Sequence, residues 1–122
     1  MKKLGFKEGM TVHLVNPPDN YTTLTGVSPT KGKMPPGGWD FIHFFTNRVS
    51  ELETVLPGLK DSLNKQGMIW VSWYKKSSEK SSELSDTVIR DCALAIGLVD
   101  VKVCAIDEDW SGLKLVFRLK DR

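Results

Sequence analysis

Asp40-Phe41-Ile42-His43-Phe44-Phe45-Thr46 is the stretch that decides the fold. It is apolar almost throughout and has the length of a strand. A strand with one face in water alternates, so an unbroken run marks one covered on both faces, as at the centre of a parallel sheet. The next segment has helical period. Ser50-Glu51-Leu52-Glu53 has the spacing of a capping box, in which the serine hydroxyl and the glutamate three residues on satisfy each other's exposed amides at a helix start. Leu52, Val55, Leu56, Leu59 and Leu63 then share one helical face, and Lys60 and Lys65 suit the negative end of the helix. Gly67 reads as the cap and Pro57 predicts a kink. Met68–Tyr74 (MIWVSWY) is a second apolar run of strand length, so a strand, a helix and another strand make a right-handed crossover.

Working outward, Thr11–Asn16 (TVHLVN) reads as a first strand that stops at Pro17-Pro18, because proline cannot donate to a sheet ladder. Pro18–Thr25 suits a short helix with proline in its first turn and Gly26 as its stop, although threonines and a tyrosine weaken its propensity. Ser28–Trp39, rich in proline and glycine, reads as an irregular surface loop. After the third strand, Lys75–Ser82 (KKSSEKSS) is a solvated loop. Ser85 caps the next helix, with Leu84 and Ile89 as a hydrophobic staple across the cap. Val88, Cys92 and Ile96 share its inner face, and Gly97 ends it. Val99, Val101, Val103 and Ala105 alternate as strand four, Asp107–Ser111 with Gly112 supplies a turn, and Leu113, Leu115, Phe117 and Leu119 alternate as strand five. The order predicts one α/β domain over residues 1–122: a three-layer, Rossmann-like, mostly parallel five-stranded sheet whose last strand is antiparallel.

Composition bounds the function classes. At 122 residues with 40% hydrophobic content, the chain can build one core that stands without disulfides or a structural metal. No apolar stretch approaches the roughly 20 residues that cross a bilayer, so no membrane partner is expected. The charged start, Met1–Glu8, has no apolar leader run, which predicts a cytoplasmic protein. Seventeen Lys and Arg against fifteen Asp and Glu leave +2. That excess sits in the first forty residues, as five lysines less Glu8, Asp19 and Asp40. A pI of 8.5 without a basic stripe argues against nucleic acid. Cys92 and Cys104 have no ligand spacing and read as reduced, buried packing residues. His13 and His43 fall on neighbouring strands where they lie side by side. Without a third ligand of comparable quality they read as packed, hydrogen-bonded histidines rather than a metal site.

From Asp40 onward the pattern resembles the second half of the class I methyltransferases, the Rossmann-like enzymes that use S-adenosylmethionine. Asp40-Phe41-Ile42-His43-Phe44-Phe45 and Leu63-Asn64-Lys65-Gln66-Gly67-Met68-Ile69-Trp70-Val71 carry the resemblance, together with the closing hairpin. It implies that the last strand inserts between strands three and four, in spatial order 1-2-3-5-4. Over nearly its full length the chain also resembles a small bacterial family, domain of unknown function 3052. That resemblance lies in Leu4–Met10, Val15-Asn16-Pro17-Pro18, Trp73–Ser78 and Gly97–Glu108, and it implies no activity. Two departures from the enzymes stand out. A working methyltransferase has a glycine-rich turn after strand one and then a further strand ending in an acid that binds ribose. Here Asn16-Pro17-Pro18-Asp19 takes the place of the turn, and the connection to strand two is too short for extra strands. No cofactor is expected.

Ligands of open α/β sheets lie beyond the carboxyl ends of the strands. There the sequence offers Asn16, Pro17, Asn47, Arg48, Lys75, Lys76, Ser77, Ser78 and Trp110 as site residues. Two lysines beside two serine hydroxyls suit an anion such as phosphate, against the plainer reading of a solvated loop. Asp107, Glu108 and Asp109 suit a cation or an acid–base pair, against that of a solvated turn. Trp110 either marks a recognition surface or folds back over the sheet edge. No Gly-x-x-x-x-Gly-Lys-Ser/Thr loop is present. The expected function is a non-catalytic module that binds a small anionic ligand or a protein partner. The alternatives are a divergent methyltransferase-like enzyme using Lys75, Lys76 or Ser77, and an oligomeric scaffold.

Overall fold

In the computed structural model the two apolar runs lie side by side at the centre of a five-stranded sheet. The structure describes residues 6–7, 9–30, 32–33, 35–75, 82–106 and 109–121. The elements are β1 (Val12–Val15), α1 (Tyr21–Thr25), β2 (Trp39–Phe45), α2 (Val49–Asp61), β3 (Leu63–Tyr74), α3 (Asp86–Ala95), β4 (Leu98–Ala105) and β5 (Trp110–Phe117), followed by a single 3-10 turn at Leu119–Asp121. Strand order is β1-β2-β3-β5-β4. The first three are parallel, and β5 runs antiparallel to both its neighbours.

Every residue from Phe41 to Phe45 is buried, as an apolar run without alternation requires. Ile42 and Phe44 join Ile69, Val71 and Leu113 beneath α2 and α3, which contribute Leu52, Leu56, Leu59, Ile89 and Ala93. Phe41 and Phe45 join Met68 and Trp70 on the other face, under Tyr21 of α1 and Val27. Helices thus cover both faces, but α1 is five residues long and its layer is thin.

Besides α1, which begins at Tyr21 after an Asn20 cap so that Pro18 lies outside its first turn, three boundaries differ from the sequence reading. The capping box does not form, because Ser50 already lies inside α2 and Arg48 is the cap residue, without a side-chain bond. The cap comes from elsewhere in the chain: Glu83 Oε1 accepts the Val49 amide at 2.9 Å. Second, α2 stops at Asp61, and Leu63 to Gly67 belong to β3. Gly67 is a strand glycine rather than a helix cap. A Cβ there would stand 2.9 Å from the carbonyl oxygens of both Trp39 and Asp40, so the two backbones approach as only glycine permits. Lys65 accordingly leaves the helix end and lies 4.4 Å over the Phe117 ring.

The third difference is in the closing hairpin. A bulge between Asp100 and Lys102 breaks the alternation of β4, so the valines do not form one stripe. Val99 keeps the Trp70 side of the sheet, Val103 takes the opposite side, and Val101 and Val103 are 53% and 49% exposed. β5 begins at Trp110, and Gly112 is a strand residue opposite Ser72 and Cys104 rather than part of the turn. Leu119 lies past the strand and is exposed. Cys92 and Cys104 are free thiols but only half-buried. Other expectations hold: Gly26 ends α1 at φ 74°, and Ser85 Oγ accepts the Val88 amide at 3.3 Å, with Leu84 and Ile89 in one core. No described helix is long and apolar enough to cross a membrane.

Gly67→Ala is expected to lower stability by about 1–3 kcal/mol through overpacking between β2 and β3. Gly58→Ala, in a helix with open space around its Cβ, is expected to raise it by about 0.5–1 kcal/mol. Urea midpoints of the two variants against the parent check both.

Candidate functional site

The carboxyl ends of β1, β2 and β3 meet at one edge of the sheet, where β5 also begins, and a cleft of about 540 Å³ opens there. Asn16 leaves β1 at φ 54°, a left-handed conformation that asparagine tolerates better than most residues. Its Nδ2 donates to Glu51 Oε1 at 3.3 Å, tying the end of β1 to the first turn of α2. β2 then delivers Phe45, Thr46, Asn47 and Arg48 in succession along the cleft. Asn47 is a strut. Its Oδ1 accepts the Tyr74 amide at 2.8 Å and its carbonyl accepts the Glu83 amide at 3.0 Å, so one residue holds the ends of β2 and β3 and the approach to α3. Arg48 is exposed and its guanidinium enters no ion pair among the described residues.

Trp110 folds back over the sheet edge. Its ring meets Phe45 edge-on at 4.8 Å and Tyr74 at 4.4 Å, and together the three form the aromatic wall of the cleft. Opposite charges share the floor, since Glu51 and Asp109 line the same hollow as Arg48.

Four of the residues read from the sequence are therefore brought together: Asn16, Asn47, Arg48 and Trp110. Pro17 does not line the cleft, whereas Pro18 does. Lys75 faces a different depression beside Ser85 and Asp86, so it does not add its charge to Arg48. Lys76, Ser77 and Ser78 lie outside the described residues, as do Asp107 and Glu108. Among the described residues the cleft lining is mixed in charge, with Arg48 beside Glu51 and Asp109. Sequence reading missed Glu51, Tyr74 and Phe45 as lining residues, whereas Asp109, read there as part of an acidic turn, lines the cleft. Glu51 was absorbed into the capping box, although a carboxylate one turn after Arg48 was a visible signal.

The two histidines are not side by side. His13 pairs with Ile42 and Leu14 with His43, so the offset of one residue sends the rings to opposite faces. His13 stacks on Trp39 at 5.0 Å. His43 is buried, with Nδ1 2.9 Å from Tyr21 Oη and Nε2 2.7 Å from Ser72 Oγ. Burial pushes its pKa down to about 3, so the ring is neutral, one nitrogen donating and the other accepting. A serine beside a histidine resembles a nucleophile and its base, but Ser72 is fully buried and no substrate reaches it. The triad is structural: it ties α1 to β2 and β3 and backs Phe45, stacked on His43 at 4.3 Å. No group of three metal-binding side chains occurs among the described residues.

No family model matches the chain, and no curated protein matches it. Solved structures do. Magnesium protoporphyrin IX methyltransferase from Synechocystis, with bound S-adenosylmethionine, aligns at TM-score 0.51 and 13% identity over 69% of this chain and 41% of its own. LepI in complex with S-adenosylmethionine aligns at 0.56 and 11% over 95% of this chain and 38% of its own. An S-adenosylmethionine-dependent methyltransferase from Clostridium acetobutylicum aligns at 0.52 and 6% over 80% and 68%. The fold is the class I methyltransferase fold. The chain spans about two fifths of the first two of these methyltransferase-fold neighbours. The turn after β1 does not fit a cofactor held by backbone amides, because Pro17 and Pro18 have no N–H to offer. Among the described residues β1 is the sheet edge, and none of their strands lies outside it to present a carboxylate for a ribose.

The histidine sets a pH dependence. The unfolded chain takes up its proton near pH 6.5 and the folded chain only near 3, so the stabilisation is complete above 6.5 and is lost as pH falls through that window. Between pH 7 and 5 the urea midpoint is expected to fall, with a contribution from this group of at most about 1.4 kcal/mol per pH unit. His43→Gln is expected to be less stable at pH 7 and to lose most of that slope.

Proposed function

We propose that the chain is a non-catalytic binding module whose cleft takes a small ligand bearing a carboxylate or phosphate. The exposed guanidinium of Arg48, which pairs with no acid among the described residues and stands at the strand-end crevice of an open α/β sheet, carries this reading. A volume of about 540 Å³ suits a small molecule. The wall of Phe45, Tyr74 and Trp110 favours a ligand with a flat apolar part, and Glu51 and Asp109 favour one that also carries a positive or donating group. The proline turn after β1 supports binding without methyl transfer. So does the placement of His43 and Ser72, which are sealed beneath α1. Membership of the domain of unknown function 3052 family belongs to the same proposal and rests on the residues that carry that resemblance.

The fold favours a second reading, a divergent methyltransferase-like enzyme. Calorimetric titration with S-adenosylmethionine, S-adenosylhomocysteine and a panel of amino-acid and nucleotide anions separates the two. The binding-module reading expects a saturable anionic ligand, no methyl transfer, and at least tenfold weaker binding in both Arg48→Ala and Trp110→Ala, as loss of a charge-assisted bond or an aromatic contact implies. Saturable S-adenosylmethionine binding with turnover onto any acceptor would establish the enzyme instead.

A further inference from the structure

Away from the cleft, one half of a sheet face carries no helix among the described residues. On the side covered by α1, Tyr21 and Val27 pack over β2 and β3. Farther along the same face, pairing sets Trp70 of β3, Lys114 of β5 and Lys102 of β4 in one row. The next row includes Val116 and Val99. Lys102 and Lys114 are thus direct cross-strand neighbours, with Cβ atoms about 5 Å apart, and like charges so placed repel.

Nothing described neutralises them. Neither lysine enters an ion pair among the described residues. Asp100, the acid nearest in sequence to Lys102, is turned by the bulge to the other face, where Arg90 Nε binds it at 3.0 Å. Burial lowers the pKa of Lys114, and the charge of Lys102 lowers it further. Lys102 extends over the Trp70 ring at 5.9 Å, which keeps its ammonium close to the sheet. Beside Lys114 lies a hollow of about 240 Å³ whose lining includes Met68, Val101 and Val116. Two neighbouring cations without an acidic partner among the described residues, one of them lining a hollow that Met68, Val101 and Val116 share with Gln66, offer both polarities of an amphipathic anion.

We propose that this shelf binds a small carboxylate with an apolar body, the carboxylate between Lys102 and Lys114 and the body against Met68, Val101 and Val116. The site is separate from the Arg48 cleft and takes its specificity from the floor, which inorganic phosphate and acetate cannot bury. Benzoate is a suitable probe in an amide NMR titration of the full chain. Saturable shifts centred on Lys102, Lys114 and Val116 are expected, with at least tenfold weaker binding of acetate and of inorganic phosphate. Lys102→Met and Lys114→Met are each expected to weaken benzoate binding at least tenfold. By relieving the repulsion, each is also expected to raise the melting temperature of the ligand-free protein, so loss of binding is separated from loss of fold. Shifts that grow without saturating, that persist in the double variant, or that centre on Arg48 and Trp110 would overturn the proposal. The last result would place the anion in the cleft and leave the cleft reading standing.

Discussion

A neutral imidazole in the middle of the most apolar strand is the constraint around which the upper half of this molecule is arranged. His43 has no water to turn to, so both ring nitrogens need partners from the chain, and each comes from a different element. Tyr21 supplies one and thereby fixes a five-residue helix that has little stability of its own. Ser72 supplies the other and locks the register of β2 against β3. The imidazole plane supports Phe45, Phe45 supports Trp110, and Trp110 packs on Tyr74, so the cleft wall is an extension of a buried polar contact.

The frame was legible in the sequence where the pattern was unbroken. The runs through Phe41–Phe45 and Met68–Trp73 have no polar alternation to misread, and their burial follows. Legibility failed where a local signal had two uses. Gly67 has the look of a helix stop, but it exists because two backbones nearly touch. Ser50 and Glu53 have capping-box spacing, but Glu83, a residue distant in sequence, provides the cap. The histidines show how little separates right from wrong in a sheet, since one residue of offset moved a supposed pair to opposite faces. At the site, Asn16, Asn47 and Arg48 were accessible because strand ends are visible in sequence. Tyr74 was not, and Asp109 was visible only as a turn acid, since the antiparallel return of β5 is what brings it next to the end of β3.

Fold and site point in different directions. The frame is shared with enzymes that transfer methyl groups, yet the turn after β1 in this chain lacks the amides with which such a frame holds its cofactor. A fold fixes where a ligand can sit far more firmly than what happens to it there. In this chain the crevice at the strand ends is lined by an arginine, two carboxylates and an aromatic wall.

The irregularity at Val101 reaches beyond the placement of Asp100. A sheet margin bearing exposed valines is an invitation for another molecule to add a strand and continue the ladder. Such addition requires evenly spaced donors and acceptors, and an extra residue puts the spacing out of step midway along β4. Protection against fibrous growth is thereby written into the main chain, leaving the side chains of that margin free for other duties.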